Sequence, residues 1–223
     1  MNHLKEITKL KNRYFILRHG ESKVNIAKII LSDPTNGVPD YGLTDKGKKQ
    51  VRNSVSKNNI LDGDTIIYSS DFKRAKETAE ITKEILKTEE IHLTKLLHER
   101  FFGNFEKTTN KNYDVVWAHD AKDPNHQFEN VESVNNVLDR TTKLILNLEK
   151  KYENKKILLV AHGDSLQILQ TGFEMVCPST HRGLTHLALA EIREIYIYSI
   201  FIVQITYLKI TLLFSYLERI KRI

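Results

Sequence analysis

Apolar and polar positions along the chain follow two periods. Short runs rich in Ile, Leu, Val and Tyr at 13–18, 64–69, 91–97, 156–161 and 186–192 have the length and composition of strands. Between and around them, 20–30, 45–57, 71–87, 111–121, 132–152 and 164–176 place apolar residues at helical spacing. Such alternation predicts an α/β fold, a three-layer sandwich with helices on both faces of a mostly parallel sheet. Ligands of open sheets of this kind gather beyond the carboxyl ends of the strands. Two of the expected strands end there in related ways: YFILRHGES at 14–22 and KILLVAHGDS at 156–165 both run from apolar residues into His-Gly, an acid and a Ser. Either each strand simply surfaces at a polar pair and a glycine, or the strand ends form a phosphate site. The repetition of the pattern favours the second.

A chain of 223 residues is long enough for one well-buried domain, or one domain with an extra segment. The hydrophobic fraction of 40% and charged fraction of 28% are ordinary for a globular protein and exclude disorder as the default. The formal charge of +6 points toward a polyanion until its distribution is considered. Residues 1–13 and 195–223 each carry a net +3, so the body between them is neutral. No stacking motif or basic recognition helix accompanies that charge, and no nucleic-acid partner is expected. With Cys177 as the only cysteine, no intrachain disulfide is possible, which predicts a reducing, cytoplasmic setting. The opening MNHLKEITKLKNRY lacks the apolar stretch of a secretory signal.

The chemistry starts at the first strand end. Arg18 is an obligate cation, His19 an imidazole, and Gly20 permits a tight turn, just where a following helix offers free N–H groups to an anion. In YSSDFKRAKETAEITKEILK, Asp71 is positioned to cap a helix whose apolar face is Phe72, Ala75, Ala79, Thr82 and Leu86. Arg74 then falls in the first turn, where the helix dipole disfavours a cation, so a bound anion would compensate it. The plainer reading is a solvated Arg74 paired with Glu77 or Asp71. Glu99, in KLLHERFFGNFE, is expected to be partly desolvated beside Phe101 and Phe102, which would raise its pKa toward the range of a proton donor. Its plainer reading is a surface pair with Arg100.

RHGES with Asn25, LTDKGKKQ at 43–50, SSDFKRAKETA at 69–79, LHERFFGNFE at 97–106 and VAHGDSLQ at 160–167 together resemble the histidine phosphatase superfamily, the phosphoglycerate mutase-like fold. The likeness is colinear over roughly 13–194, leaving a basic extension at 1–12 and an apolar one at 195–223. It implies that His19 is a nucleophile forming a phosphohistidine, that Arg18, Arg74 and His162 surround the phosphoryl oxygens, and that Glu99 carries the proton. Asn25, Gly20, Gly163 and Arg100 are implied as further substrate contacts. No metal or other cofactor is implied, and His92, His98, His119, His126, His181 and His186 show no metal-ligand spacing. His181 and Arg182 are candidates to approach the pocket from the loop before the last strand.

Departures from the mutase branch lie in IAKIILSDPTNGVPDYGLT and ERFFGNFEKTT and favour a phosphatase. Lys107 stands where relatives often have Gly, which leaves that loop open. The segment from 105 to 137 is expected to cap the pocket, with Lys107, Lys111, Trp117, His119 and Lys122 available to a second anionic group. The leading function is a metal-independent phosphatase acting on a small phosphorylated metabolite or a phosphoprotein; a phosphomutase and a non-catalytic phospho-ligand scaffold are the alternatives. From Ile195 to Leu217 the chain is apolar and β-branched, interrupted by Gln204 and Lys209. A membrane anchor, a packed extension and a non-native tail all remain open there.

Overall fold

The computed structural model describes residues 1–197. Five strands, β1 (Arg13–Arg18), β2 (Ile66–Ser69), β3 (Ile91–Leu93), β4 (Lys156–Ala161) and β5 (Ile192–Ile195), form one sheet in the order β3-β2-β4-β1-β5. All neighbours are parallel except β5, which runs antiparallel to β1. β1 and β4 lie at the centre, and their unbroken apolar runs reflect burial on both faces.

Among the described residues, seven α-helices accompany the sheet: α1 (Lys23–Ala27), α2 (Pro34–Gly37), α3 (Asp45–Lys57), α4 (Lys73–Leu86), α5 (Asn112–Asp120), α6 (Val134–Lys151) and α7 (Gly163–Glu174). α6 begins where the Ser133 side chain accepts from the Asn136 amide, and Val134, Val137, Leu138, Thr141, Leu144, Ile145 and Leu148 then bury one helical stripe. With α7, that stripe packs on Tyr14, Ile16, Ile157 and Leu159. On the opposite face Ala75 and Ala79 of α4 meet Phe15, Leu17, Ile67, Leu158 and Val160, while α3 adds Val51 and Val55 beside it. The result is the expected three-layer sandwich.

Residues 1–12 place Leu4 in the core beneath α6 and α7, with Ile7 and Leu10 packed against it. Two expected strands differ. The third ends at Leu93, because the Thr94 side chain accepts from Leu96 and starts a 3₁₀ turn at Lys95–Leu97. The last lies at Ile192–Ile195 instead of 186–192: Ala190 takes a left-handed φ of 60° and donates its amide to the Arg18 carbonyl, so 186–191 forms a turn over the end of β1. Lys107 has φ 62°, the left-handed conformation that a glycine would supply without steric cost. Among the described residues no helix is long and apolar enough to cross a membrane. The suggested tail anchor lies outside them, apart from Ile195–Ile197.

Candidate active site

The register of β1 on β4 pairs Arg18 with Ala161, so the next residues, His19 and His162, emerge side by side. Their rings stand 5.3 Å apart, edge to face. The turn after His19 packs closely on the start of α3: a Cβ on Gly20 would meet the Gly47 carbonyl oxygen at 2.6 Å, and one on Gly47 would meet the Glu21 carbonyl oxygen at 2.0 Å. Gly20 therefore serves helix approach, and it is not among the residues lining the cavity at these strand ends. That cavity, about 260 Å³, is bounded by Arg18, His19, Asn25, Arg74, Glu99 and Gly163, together with Asn110, Tyr113, Trp117, Asp164, Arg182 and His186 among others.

Nδ1 of His19 lies 2.8 Å from the Gly20 carbonyl. A carbonyl only accepts, so Nδ1 carries the proton and Nε2 keeps its lone pair. Burial first, then Arg74 and Arg18, hold the imidazole well below its ordinary pKa, so the ring is neutral near pH 7.

The two arginines are held by protein on one side only. Arg18 donates from Nη1 to the Leu187 carbonyl at 2.9 Å and to His186, while its buried Nε has no partner. Arg74, at the first turn of α4, donates from Nε to Nδ1 of His162 at 3.2 Å and from Nη2 to the Leu31 carbonyl at 3.1 Å, leaving its buried Nη1 without one. Orphaned buried donors are rare, and here two belong to guanidinium groups on one cavity, as an anion site requires. Gly163 permits this packing, since a Cβ there would come 3.2 Å from the Arg18 guanidinium carbon.

Glu99 accepts from the amides of Arg100, at 2.9 Å, and Ser165, at 3.3 Å, both through Oε1. Its other oxygen has no hydrogen-bond partner among the described residues. Burial, then the nearby Asp164, raises its pKa, with Arg74 opposing. Asn25 directs Oδ1 to the amide and hydroxyl of Ser22, leaving its amide nitrogen available at the cavity wall.

Besides Gly20, other expected roles fall elsewhere. His162 is fully buried, and both its nitrogens are engaged, Nδ1 by Arg74 and Nε2 by the Ser70 hydroxyl at 2.9 Å; it bears on Arg74 and does not line the cavity. Arg100 is also fully buried, gripping Asp120 through two bonds of 2.7 Å and Asp164 at 3.2 Å, with no atom left for a substrate. Asp71 bonds His98 and does not cap α4, whose first turn has no side-chain cap. Lys107, Lys111, His119 and Lys122 stay outside the cavity, and Phe101 remains at the surface while Phe102 packs with Ile30, Val116 and Val131.

Tyr113, Asn110, Asp164 and His186 line the cavity although no site role was expected of them. Asp164 carried a usable signal, an acid in the first turn after the second His-Gly; Tyr113 fell in the expected helix 111–121 and His186 in the expected strand 186–192, with nothing local to mark either as a cavity residue. The Arg182 guanidinium sits over the Trp117 ring at 3.6 Å, and Trp117 donates from Nε1 to Asp164 at 3.1 Å, fastening α5 to α7.

The chain is similar to known proteins in sequence and in fold. An uncharacterized phosphatase PhoE of Bacillus subtilis is 30% identical over 160 residues, 70% of this chain and 74% of that protein. A 2,3-bisphosphoglycerate-dependent phosphoglycerate mutase of Buchnera aphidicola is 29% identical over 201 residues, 71% of this chain and 82% of that one. The native mycobacterial glucosyl-3-phosphoglycerate phosphatase superposes with a TM-score of 0.67 at 21% identity, over 82% of this chain and 88% of that structure, a likeness of fold. The family model described as histidine phosphatase superfamily (branch 1) matches residues 14–200, and the chain belongs to that superfamily.

Proposed function

We propose that the protein is a metal-independent phosphatase that hydrolyses a small phosphomonoester through a phosphohistidine on His19. The observation that carries this reading is the Nδ1–H bond to the Gly20 carbonyl, which leaves the Nε2 lone pair of a neutral ring on an arginine-lined cavity. In the first step Nε2 attacks phosphorus, the N–P bond forms and the ester P–O bond breaks. Glu99, holding its proton, passes it to the departing oxygen. Arg18 and Arg74 offer their unpartnered N–H groups to the charge spread over the phosphoryl oxygens. In the second step water attacks the phosphohistidine, the Glu99 carboxylate takes its proton, and phosphate leaves with the N–P bond broken. The Gly20 carbonyl supports the positive charge that the ring carries between the steps.

A cavity of about 260 Å³, below the range of drug-sized pockets, suits a phosphoryl group and a few further atoms. This favours a small metabolite over a phosphoprotein. The test is release of phosphate from an aryl phosphate in excess chelator by the wild-type protein and by His19→Ala. Chelator-resistant turnover that falls at least about a thousandfold in the variant supports the reading. Turnover that survives in His19→Ala removes His19 as nucleophile, and phosphoryl transfer to an added alcohol without phosphate release makes the protein a mutase.

A further inference from the structure

Arg18 reaches the cavity from the end of β1 with its Nη1 only 2.7 Å from Nε2 of His186. An arginine nitrogen has only protons to offer, so Nε2 is the acceptor and the ring proton resides on Nδ1. Nδ1 lies 3.1 Å from Oε1 of Gln167, which also accepts from Nη1 of Arg182. The Gln167 amide is oriented by its own donation from Nε2 to the Leu184 carbonyl at 2.9 Å. A neutral imidazole and one amide thus join the two cations Arg18 and Arg182 into one chain along the cavity wall.

We propose that His186 is a positioning residue, whose neutral Nδ1–H form holds the Arg18 guanidinium toward the phosphoryl group bound at His19, and whose protonation releases Arg18 and sets the acid limb of activity. The proposal rests on the phosphatase reading above and adds a group that does not touch the reacting atoms. A proton on Nε2 would face an Arg18 N–H across 2.7 Å, donor against donor.

The charged groups facing the ring come from four directions. Arg18 of β1 and Arg182 of the 3₁₀ turn Pro178–Gly183 favour the neutral form; Asp164 of α7 and Glu191 before β5 favour the charged one. Burial is the largest influence and, with the arginines, depresses the pKa below its ordinary 6.5. Asp164 is already engaged by Arg100 and Trp117, and Arg193 donates to the His186 carbonyl at 3.2 Å, which fixes the loop without bearing on the ring.

The experiment measures kcat/KM for an aryl phosphate across pH in wild type, His186→Gln and His186→Ala, together with nitrogen-15 shifts of the His186 ring in wild type. A glutamine oxygen can accept from Arg18 but cannot titrate. His186→Gln is expected to stay within about fivefold of wild type at neutral pH while its acid limb moves down by about half a pH unit or more. His186→Ala is expected to lose about 10- to 100-fold at every pH, because Arg18 keeps only its bond to the Leu187 carbonyl on that side. The wild-type ring should be neutral with its proton on Nδ1 and titrate along the acid limb. An acid limb unchanged in His186→Gln, a near-wild-type His186→Ala, or a ring protonated on Nε2 at neutral pH would overturn the proposal. If neither variant folds, the ring measurement alone decides. A wild-type protein without turnover sinks the phosphatase reading instead, and the tautomer of His186 still tests its bond to Arg18.

Discussion

Glu99 divides its two oxygens between two tasks. Oε1 is tied to backbone amides, which fixes the carboxyl in place, and the untied oxygen is the one able to carry a proton. Burial and Asp164 raise its pKa, so the proton is retained to a higher pH than on an ordinary carboxyl. A glutamine preserves the shape and the amide bonds but has no proton to give. Glu99→Gln should therefore lower kcat/KM by about 10²- to 10⁴-fold for an alkyl phosphate, whose leaving oxygen needs protonation, and far less for a nitrophenyl phosphate. Equal losses on both substrates would show that Glu99 is not the proton donor. Of the residues that the sequence and the cavity agree on, Arg18, His19, Asn25, Arg74 and Gly163 stand at strand ends or helix starts, where local pattern fixes position, and Glu99 lies just after the 3₁₀ turn Lys95–Leu97. His186 could not be found that way, because it meets Arg18 across 168 positions of chain and sits in a turn whose sequence imitates a strand. Arg100 was misplaced for the same reason. Its neighbour in sequence is Glu99, but its partners, Asp120 and Asp164, lie 20 and 64 positions away.

Among the elements, α5 is the one whose placement decides the cavity wall, and its own sequence does little to hold it. It is fastened at its C-terminal end, where Asp120 is gripped by Arg100 and approached by His126, and by Trp117 through Asp164. Arg100, Asp120 and Asp164 form a buried set in which one cation serves two carboxylates, all with side chains no more than 5% exposed. Removing the cation leaves two carboxylates in a poorly solvated place on weaker contacts, Asp120 on the His126 ring and Asp164 on Trp117 and, at 3.9 Å, on Arg182. Arg100→Met should lower the unfolding free energy by about 3–5 kcal/mol, read from urea denaturation. A loss under about 1.5 kcal/mol, the size of a tolerated core swap, would mean that the set contributes packing and little else. The elements themselves were legible where an apolar period ran for three or more turns, as in α3, α4 and α6, or where a strand was buried on both faces, as in β1 and β4. They were not legible at β5. There the alternation of LTHLALAEI looks like a strand, yet Leu187 and Ala190 are buried by a turn that crosses the end of β1.

On the scale of the whole molecule, the cavity makes the fold sensitive to acid. His19 is 3% exposed and His162 fully buried, and both are held neutral well below their ordinary value of 6.5, by burial first and then by Arg74. In the unfolded chain the same two rings take up protons as the pH falls through 6.5. Between that value and their depressed folded values the unfolded state binds more protons, so stability rises with pH there and is lost as the pH falls. Each ring contributes a slope of up to about 1.4 kcal/mol per pH unit. Glu99 acts in the opposite sense: its raised folded pKa means that the folded state holds the extra proton above 4.5, which stabilises the fold at the acid side of that window and fades as the pH rises. His98 and His186 are lowered too, so four rings against one carboxyl leave a net loss toward acid, beginning below about pH 6.5. Urea denaturation between pH 7.5 and pH 5 should show the midpoint falling, and His162→Gln should flatten the fall without abolishing it, since His19, His98 and His186 are also held below their ordinary value and still titrate. A midpoint independent of pH over that range would mean that the two imidazoles are not neutral in the folded protein, and the case for His19 as a nucleophile would fall with it.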